Sequence, residues 1–141
     1  MFSDDRRPAR PGRAVTAVGV DHVRLAYHYL DSGDIDAYGS LLDENALMCR
    51  PEAPPGCGRA EILKLQAPLT GPPVEHHIHK IFAADGAVAV TGRCTSLPGR
   101  PAADAGGVDF TDIFTLTDEG LLLGCRRYYY VAPPLNGVDE V

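Results

Sequence analysis

From Val74 onward the hydrophobic pattern changes its period, and that change limits the fold more than any other feature of the chain. Before it, Val20, Val23, Tyr27 and Leu30 recur at helical spacing, with Asp21 near the start and Asp31, Ser32 and Gly33 as a stop. Asp34 is placed to cap a second helix that turns Ile35, Tyr38, Leu41 and Leu42 inward, ahead of an extended piece over 46–50. A Pro- and Gly-rich loop at 51–58 leads to a third short helix over 59–69 carrying Ile62, Leu63 and Leu65. After the change come four strand-length runs, 74–83, 87–97, 108–116 and 121–131, rich in β-branched and aromatic residues. Ala-Asp-Gly at 84–86 and Thr-Asp-Glu-Gly at 117–120 supply hairpin turns, and 98–107 is expected to be a long loop. Three helices followed by a meander of strands predict an α+β domain, with the helices on one face of an antiparallel sheet.

A chain of 141 residues can bury one genuine core, so a single domain is expected over 17–133, between a flexible arm at 1–16 and a tail at 134–141. No apolar run approaches the roughly 18 residues of a membrane span. The N-terminal arginines are not followed by an apolar stretch, which argues against export and for a cytoplasmic protein. The net charge of −6 gives no electrostatic footprint for nucleic acid, and Arg6, Arg7, Arg10 and Arg13 fall in a Pro-rich segment. Cys49, Cys57, Cys94 and Cys125 have no CxxC spacing, so reduced, packed thiols are expected in place of a zinc site.

In the run 108–116, Phe110, Asp112, Phe114 and Leu116 alternate with Asp109, Thr111, Ile113 and Thr115, and the first set is the face that calls for burial. Asp112 is its one polar member. Pairing Leu116 with Leu121 would set Asp112 opposite Cys125 and Phe110 opposite Arg127, with Leu123 and Tyr129 on the same face. A carboxylate there is either protonated by desolvation or paired with a cation such as Arg127 or Arg93, and a structural ion pair weighs equally with a functional role.

The run Glu75-His76-His77-Ile78-His79 puts His77 and His79 on one face and His76 on the other. A three-residue loop at 84–86 sets His77 opposite Arg93 and His79 opposite Thr91. A two-residue turn at Asp85-Gly86 would bring His76 to the Arg93 face instead, and the first register is preferred. No third ligand can be located for a metal, and none is expected. Tyr27, on the first helix, reads first as a core residue, although a phenol pointing into a cavity there could donate to a substrate oxygen. Alternation splits Tyr128, Tyr129 and Tyr130 between the two faces, which with the acidic charge opposes stacking on single-stranded nucleic acid.

Leu30-Asp31-Ser32-Gly33-Asp34-Ile35-Asp36-Ala37-Tyr38, Gly58-Arg59-Ala60-Glu61-Ile62, Phe110-Thr111-Asp112-Ile113-Phe114-Thr115-Leu116 and the stretch from Gly120 to Tyr130 occur in an order that resembles the SnoaL-like polyketide cyclases. These belong to the superfamily of nuclear transport factor two and ketosteroid isomerase. The resemblance, over about residues 18–131, implies a conical α+β barrel, a strongly curved sheet enclosing one pocket, and a homodimer. It places Asp112 where the cyclases carry an acid/base aspartate and where ketosteroid isomerase holds a protonated aspartic acid. Departures matter equally. Ketosteroid isomerase has its base where this chain has Cys49-Arg50-Pro51, and the Asp, Arg and Asp of limonene epoxide hydrolase are met only by Arg93, with Thr95 and Arg127 in place of the acids.

The resemblance therefore implies cofactor-free acid/base chemistry on a small aromatic or polyketide-type molecule, a cyclisation or a dehydration, with Asp112 moving the proton and His79 or His77 as partner. Arg93, Arg127, Tyr27 and Tyr129 would hold the substrate, with Phe110 and Cys125 lining the site. The alternatives are a non-catalytic small-molecule binder in which Asp112 and Arg127 neutralise each other, and an interaction domain whose interior is filled by side chains.

Overall fold

A computed structural model of the chain describes residues 12–66, 74–95 and 107–130. The expected segment 1–11 of the arm, the end of the third helix at 67–69, most of the loop 98–107 and the tail lie outside the described residues. Helix α1 (Arg13–Ser32) begins four residues inside the expected arm, and α2 (Ile35–Gly39) follows at once. Asp34 caps α2 as expected, its Oδ1 accepting from the Ala37 N–H at 3.1 Å. Strands β1 (Leu42–Arg50) and β2 (Ala53–Cys57) come next, then α3 (Arg59–Gln66), β3 (Glu75–Ala84), β4 (Ala87–Thr95), β5 (Val108–Leu116) and β6 (Leu122–Tyr129).

The protein is α+β, with helices packed on a six-stranded sheet of order β2-β1-β6-β5-β4-β3. Four of the five strand pairings are antiparallel as expected, but β1 joins β6 in parallel, so the sheet is mixed. The segment expected as a loop at 51–58 contains β2. Pro54 and Pro55 have no N–H to give a ladder, and β2 is an edge strand, where that loss is tolerated.

Helix α1 packs against β3, β4, β5 and β6, burying Val23, Ala26 and Tyr27 on the sheet's inner face. Opposite them lie Val88 and Val90 of β4, Phe110 and Phe114 of β5 and Leu122 of β6, with Tyr38, Leu41 and Ile62 closing the core from α2, the following turn and α3. Each such large side chain contributes roughly 1.5–3 kcal/mol by leaving water. Irregularities in β3 and β6 bend the strands around α1, in keeping with a curved, cone-like sheet that does not close into a barrel.

Candidate functional site

The irregularities in β3 and β6 decide which side chains meet. In β5 and β6 the pairing runs Leu116 with Leu122 and then Thr115 with Gly124, leaving Leu123 as an extra residue. The expected register is thereby corrected: Asp112 lies opposite Arg127, Phe110 opposite Tyr129 and Phe114 opposite Cys125. Cys125, Arg127 and Tyr129 keep the expected inner face, whereas Leu123 is 38% exposed.

In β3 and β4 the turn has two residues, Asp85 and Gly86 at φ 53° and 78°, the paired left-handed conformation of a tight hairpin. Ala84 pairs with Ala87 and Lys80 with Thr91, yet Ile78 pairs with Gly92, so His79 is the extra residue of a bulge. The expected pairing of His77 with Arg93 is present for this reason, and not because the loop has three residues. A Cβ at position 92 would run into the His77 carbonyl, so the bulged strand needs glycine opposite it.

The buried positions of β4 are Val88, Val90, Gly92 and Cys94. Arg93 and His77 therefore share the outer face, and His77 and His79 are exposed. Arg93 Nε donates to Asp109 Oδ1 at 2.9 Å, with both side chains nearly half exposed. The structure thus does not bring His77, His79 or Arg93 to Asp112. The inner-face histidine is His76.

Asp112 is 1% exposed and Arg127 8%. Arg127 donates from Nε to Oδ1 and from Nη2 to Oδ2, each at 2.7 Å, a bidentate pair. The Tyr27 hydroxyl donates to the same Oδ2 at 2.6 Å. Of the two states open to a carboxylate in this setting, the paired one is adopted, and its cation is Arg127. Burial works against the guanidinium's charge, but the hydrogen bonds and charge of Asp112 outweigh it and raise the Arg127 pKa. Burial, and then the charge of Asp112, push the Tyr27 phenol far above its ordinary range, so it stays a donor.

Around this triad the Arg127 guanidinium lies 4.4 Å from the Phe110 ring centre, and its Nη1 donates to Cys94 Sγ at 3.3 Å. Burial, partly offset by Arg127, pushes the Cys94 thiol up to about 11, and burial raises Cys125 well above 9.0. Neither is a thiolate nucleophile at neutral pH.

One turn beyond Tyr27 on α1 sits Asp31. Its Oδ1 accepts from His76 Nδ1 at 2.6 Å and its Oδ2 from the His76 backbone N–H at 3.0 Å. The carboxylate fixes the proton on Nδ1 and leaves Nε2 to act. Nε2 has no partner among the described residues. The imidazole packs 5.1 Å from the Tyr27 ring and edge-on to Phe110 at 5.7 Å, with 6% of its side chain exposed against 28% for Asp31. Sequence reasoning misses this dyad because Asp31, followed by Ser32 and Gly33, reads as a helix stop. The i, i+4 spacing of Tyr27 and Asp31, which puts both on one helix face, was the available signal.

Below the triad the interior is packed. The void among Tyr38, Met48, Phe114 and Cys125 is only about 10 Å³. A hollow of about 320 Å³ lies over the rows Thr91–Thr111–Tyr128 and Asp109–Tyr130, whose side chains alternate away from Asp112, so it belongs to the outer face. Asp31, His76, Cys125 and Tyr129 of the inner site are partly exposed, as is Arg50 at the end of β1. The Tyr129 hydroxyl donates to Glu52 Oε2 at 2.7 Å. Among the described residues no cluster of three or more metal-ligating side chains occurs. No helix there is long and apolar enough to cross a membrane.

Helices laid in a curved sheet in this order give the fold of nuclear transport factor two-like proteins. The sequence profile of the SnoaL-like domain matches residues 23–123, and the chain belongs to that family. No curated protein matches it in sequence. Among solved structures, Bal32a from a soil-derived mobile gene cassette is 23% identical with a TM-score of 0.70, covering 89% of this chain and 97% of its own. A Kribbella flavida protein provisionally named a ketosteroid isomerase is 18% identical with a TM-score of 0.68, covering 86% of each chain. A Sinorhizobium meliloti protein provisionally named a polyketide cyclase is 18% identical with a TM-score of 0.64, covering 77% of this chain and 94% of its own. At these identities the likeness is one of fold.

Proposed function

We propose that the protein carries out cofactor-independent acid/base chemistry, a cyclisation or dehydration of a small aromatic or polyketide-type molecule, with His76 as the proton carrier. The observation that carries this reading is the Asp31–His76 dyad beside Tyr27. A carboxylate holds one imidazole nitrogen and orients the ring, the other nitrogen has no partner among the described residues, and the Tyr27 and Phe110 rings stand next to it. Asp112, with both oxygens occupied and almost no exposure, is suited to positioning Tyr27 and Arg127 and not to exchanging a proton with a substrate. The substrate class is supported by the family and by the name of the Sinorhizobium relative. Arg127, stacked on Phe110, would face negative charge developing on a substrate oxygen.

The test is incubation of the purified protein with a panel of polyketide-type intermediates, with mass spectrometry separating loss of water from isomeric ring closure. His76→Gln is expected to lower turnover by about a hundredfold or more, and Asp31→Asn by a smaller factor. Turnover unchanged in His76→Gln would overturn the assignment.

A further inference from the structure

Arg50 is the last residue of β1. Along that strand Ala46 and Met48 are buried and Leu47 is exposed, so alternation sends Arg50 to the inner face. The irregularity between β1 and β2 does not disturb this, because the extra residue lies on the β2 side: Met48 pairs with Gly56 and Arg50 with Ala53. On the other flank Met48 pairs with Cys125 and Cys49 with Arg126, which carries Arg50 to the level of Arg127 and Tyr129. Its charge is felt inside, where it favours the ionised forms of the buried Tyr38 phenol and Cys125 thiol.

Arg50 is partly buried, and among the described residues it has no hydrogen-bond or ion-pair partner. The buried acid of the inner face is already matched, Asp112 holding Arg127 and Tyr27, and Glu52 accepts from Tyr129 through Oε2 without pairing to Arg50. The inner faces of β1, β5 and β6 thus carry two guanidiniums and one carboxylate. No buried side-chain nitrogen or oxygen among the described residues lacks a partner, so the unpaired Arg50 guanidinium keeps access to water and stands as a free cation at the edge of the inner face, open to an anionic ligand.

We infer that Arg50 is the anion-recognition point of this site and that its ligand carries a carboxylate. The fork of the guanidinium accommodates both oxygens of a planar carboxylate, with the partly exposed Tyr129 ring available to the ligand's apolar body. The inference rests on the inner face being the binding site, as proposed above, and names the class of molecule that site accepts.

Calorimetric titration with 2-naphthoate and its neutral analogue 2-naphthamide, at fixed ionic strength, tests it. The wild-type protein is expected to bind naphthoate at least about tenfold more tightly. Arg50→Gln should erase the difference, Arg50→Lys keep part of it, and Arg126→Gln, on the outward neighbour, leave it intact. Thermal melts establish that each variant is folded, and Arg50→Lys stands in should Arg50→Gln fail to fold. Equal affinities in the wild type, no saturable binding of naphthoate, or discrimination that survives Arg50→Gln would each overturn the inference. The titration reads no turnover, so His76→Gln should still discriminate, and a failure of the acid/base reading is told apart from a failure of this one.

Discussion

Asp112 shows how one polar residue on an apolar strand face can be read from alternation alone, while its partner cannot. Its burial followed from Phe110 and Phe114 on either side, but the extra residue Leu123 moves the opposing strand, and Arg127 takes the place expected for Cys125. The two Arg127 hydrogen bonds and the one from Tyr27 make the carboxylate part of the core's electrostatics. Asp112→Asn therefore strands a buried guanidinium and is expected to destabilise the fold by about 3–5 kcal/mol. Replacing the whole triad, with Tyr27→Phe, Asp112→Leu and Arg127→Met, removes the desolvation cost along with the pairing and should recover most of that loss. Urea midpoints of the two variants decide the matter. A loss under about 1 kcal/mol in Asp112→Asn would mean the pair contributes little.

At the level of elements, the switch of period located α1, α3 and the four C-terminal strands, because their packed faces repeat over two or more turns or pleats. β2 was illegible for the opposite reason: two prolines in five residues read as a loop unless the segment is known to be an edge. The parallel pairing of β1 with β6 joins residues far apart in sequence, and no local pattern encodes it. The bulge at His79 is the local departure with the largest chemical consequence, since one residue decides which histidine faces inward. Deleting His79 should remove the bulge and keep the pairing, Lys80 with Thr91, Ile78 with Gly92, His77 with Arg93 and His76 with Cys94. His76 would keep its inward face and Asp31. The expected readout is a downfield imidazole proton resonance of the hydrogen-bonded Nδ1 that survives the deletion. Its disappearance would show that the bend of the bulged strand, and not the pairing alone, holds His76 against Asp31.

For the molecule as a whole, the buried acids with neutral protonated forms share a direction. Burial raises the pKa of Tyr27, Tyr38, Tyr129, Cys94 and Cys125, so the folded protein holds protons that the unfolded chain gives up. The Cys94 thiol, ordinarily at 9.0, titrates at about 11 in the fold. Its contribution to stability is complete below pH 9 and is lost as pH rises through about 11, because in that window unfolding releases a proton. The tyrosines extend the same loss to higher pH, beginning near their ordinary 10.0. Melting temperatures are therefore expected to hold from pH 8 to about 9 and to fall from there to pH 11. Cys94→Ala, which opens a small void and removes the Sγ contact of Arg127, should melt lower at pH 8 yet lose less between pH 9 and 11. Parallel curves for the two proteins would place the alkaline sensitivity in the tyrosines alone. A flat wild-type curve would mean that the core admits water to these groups, which the 10 Å³ void beneath the triad argues against.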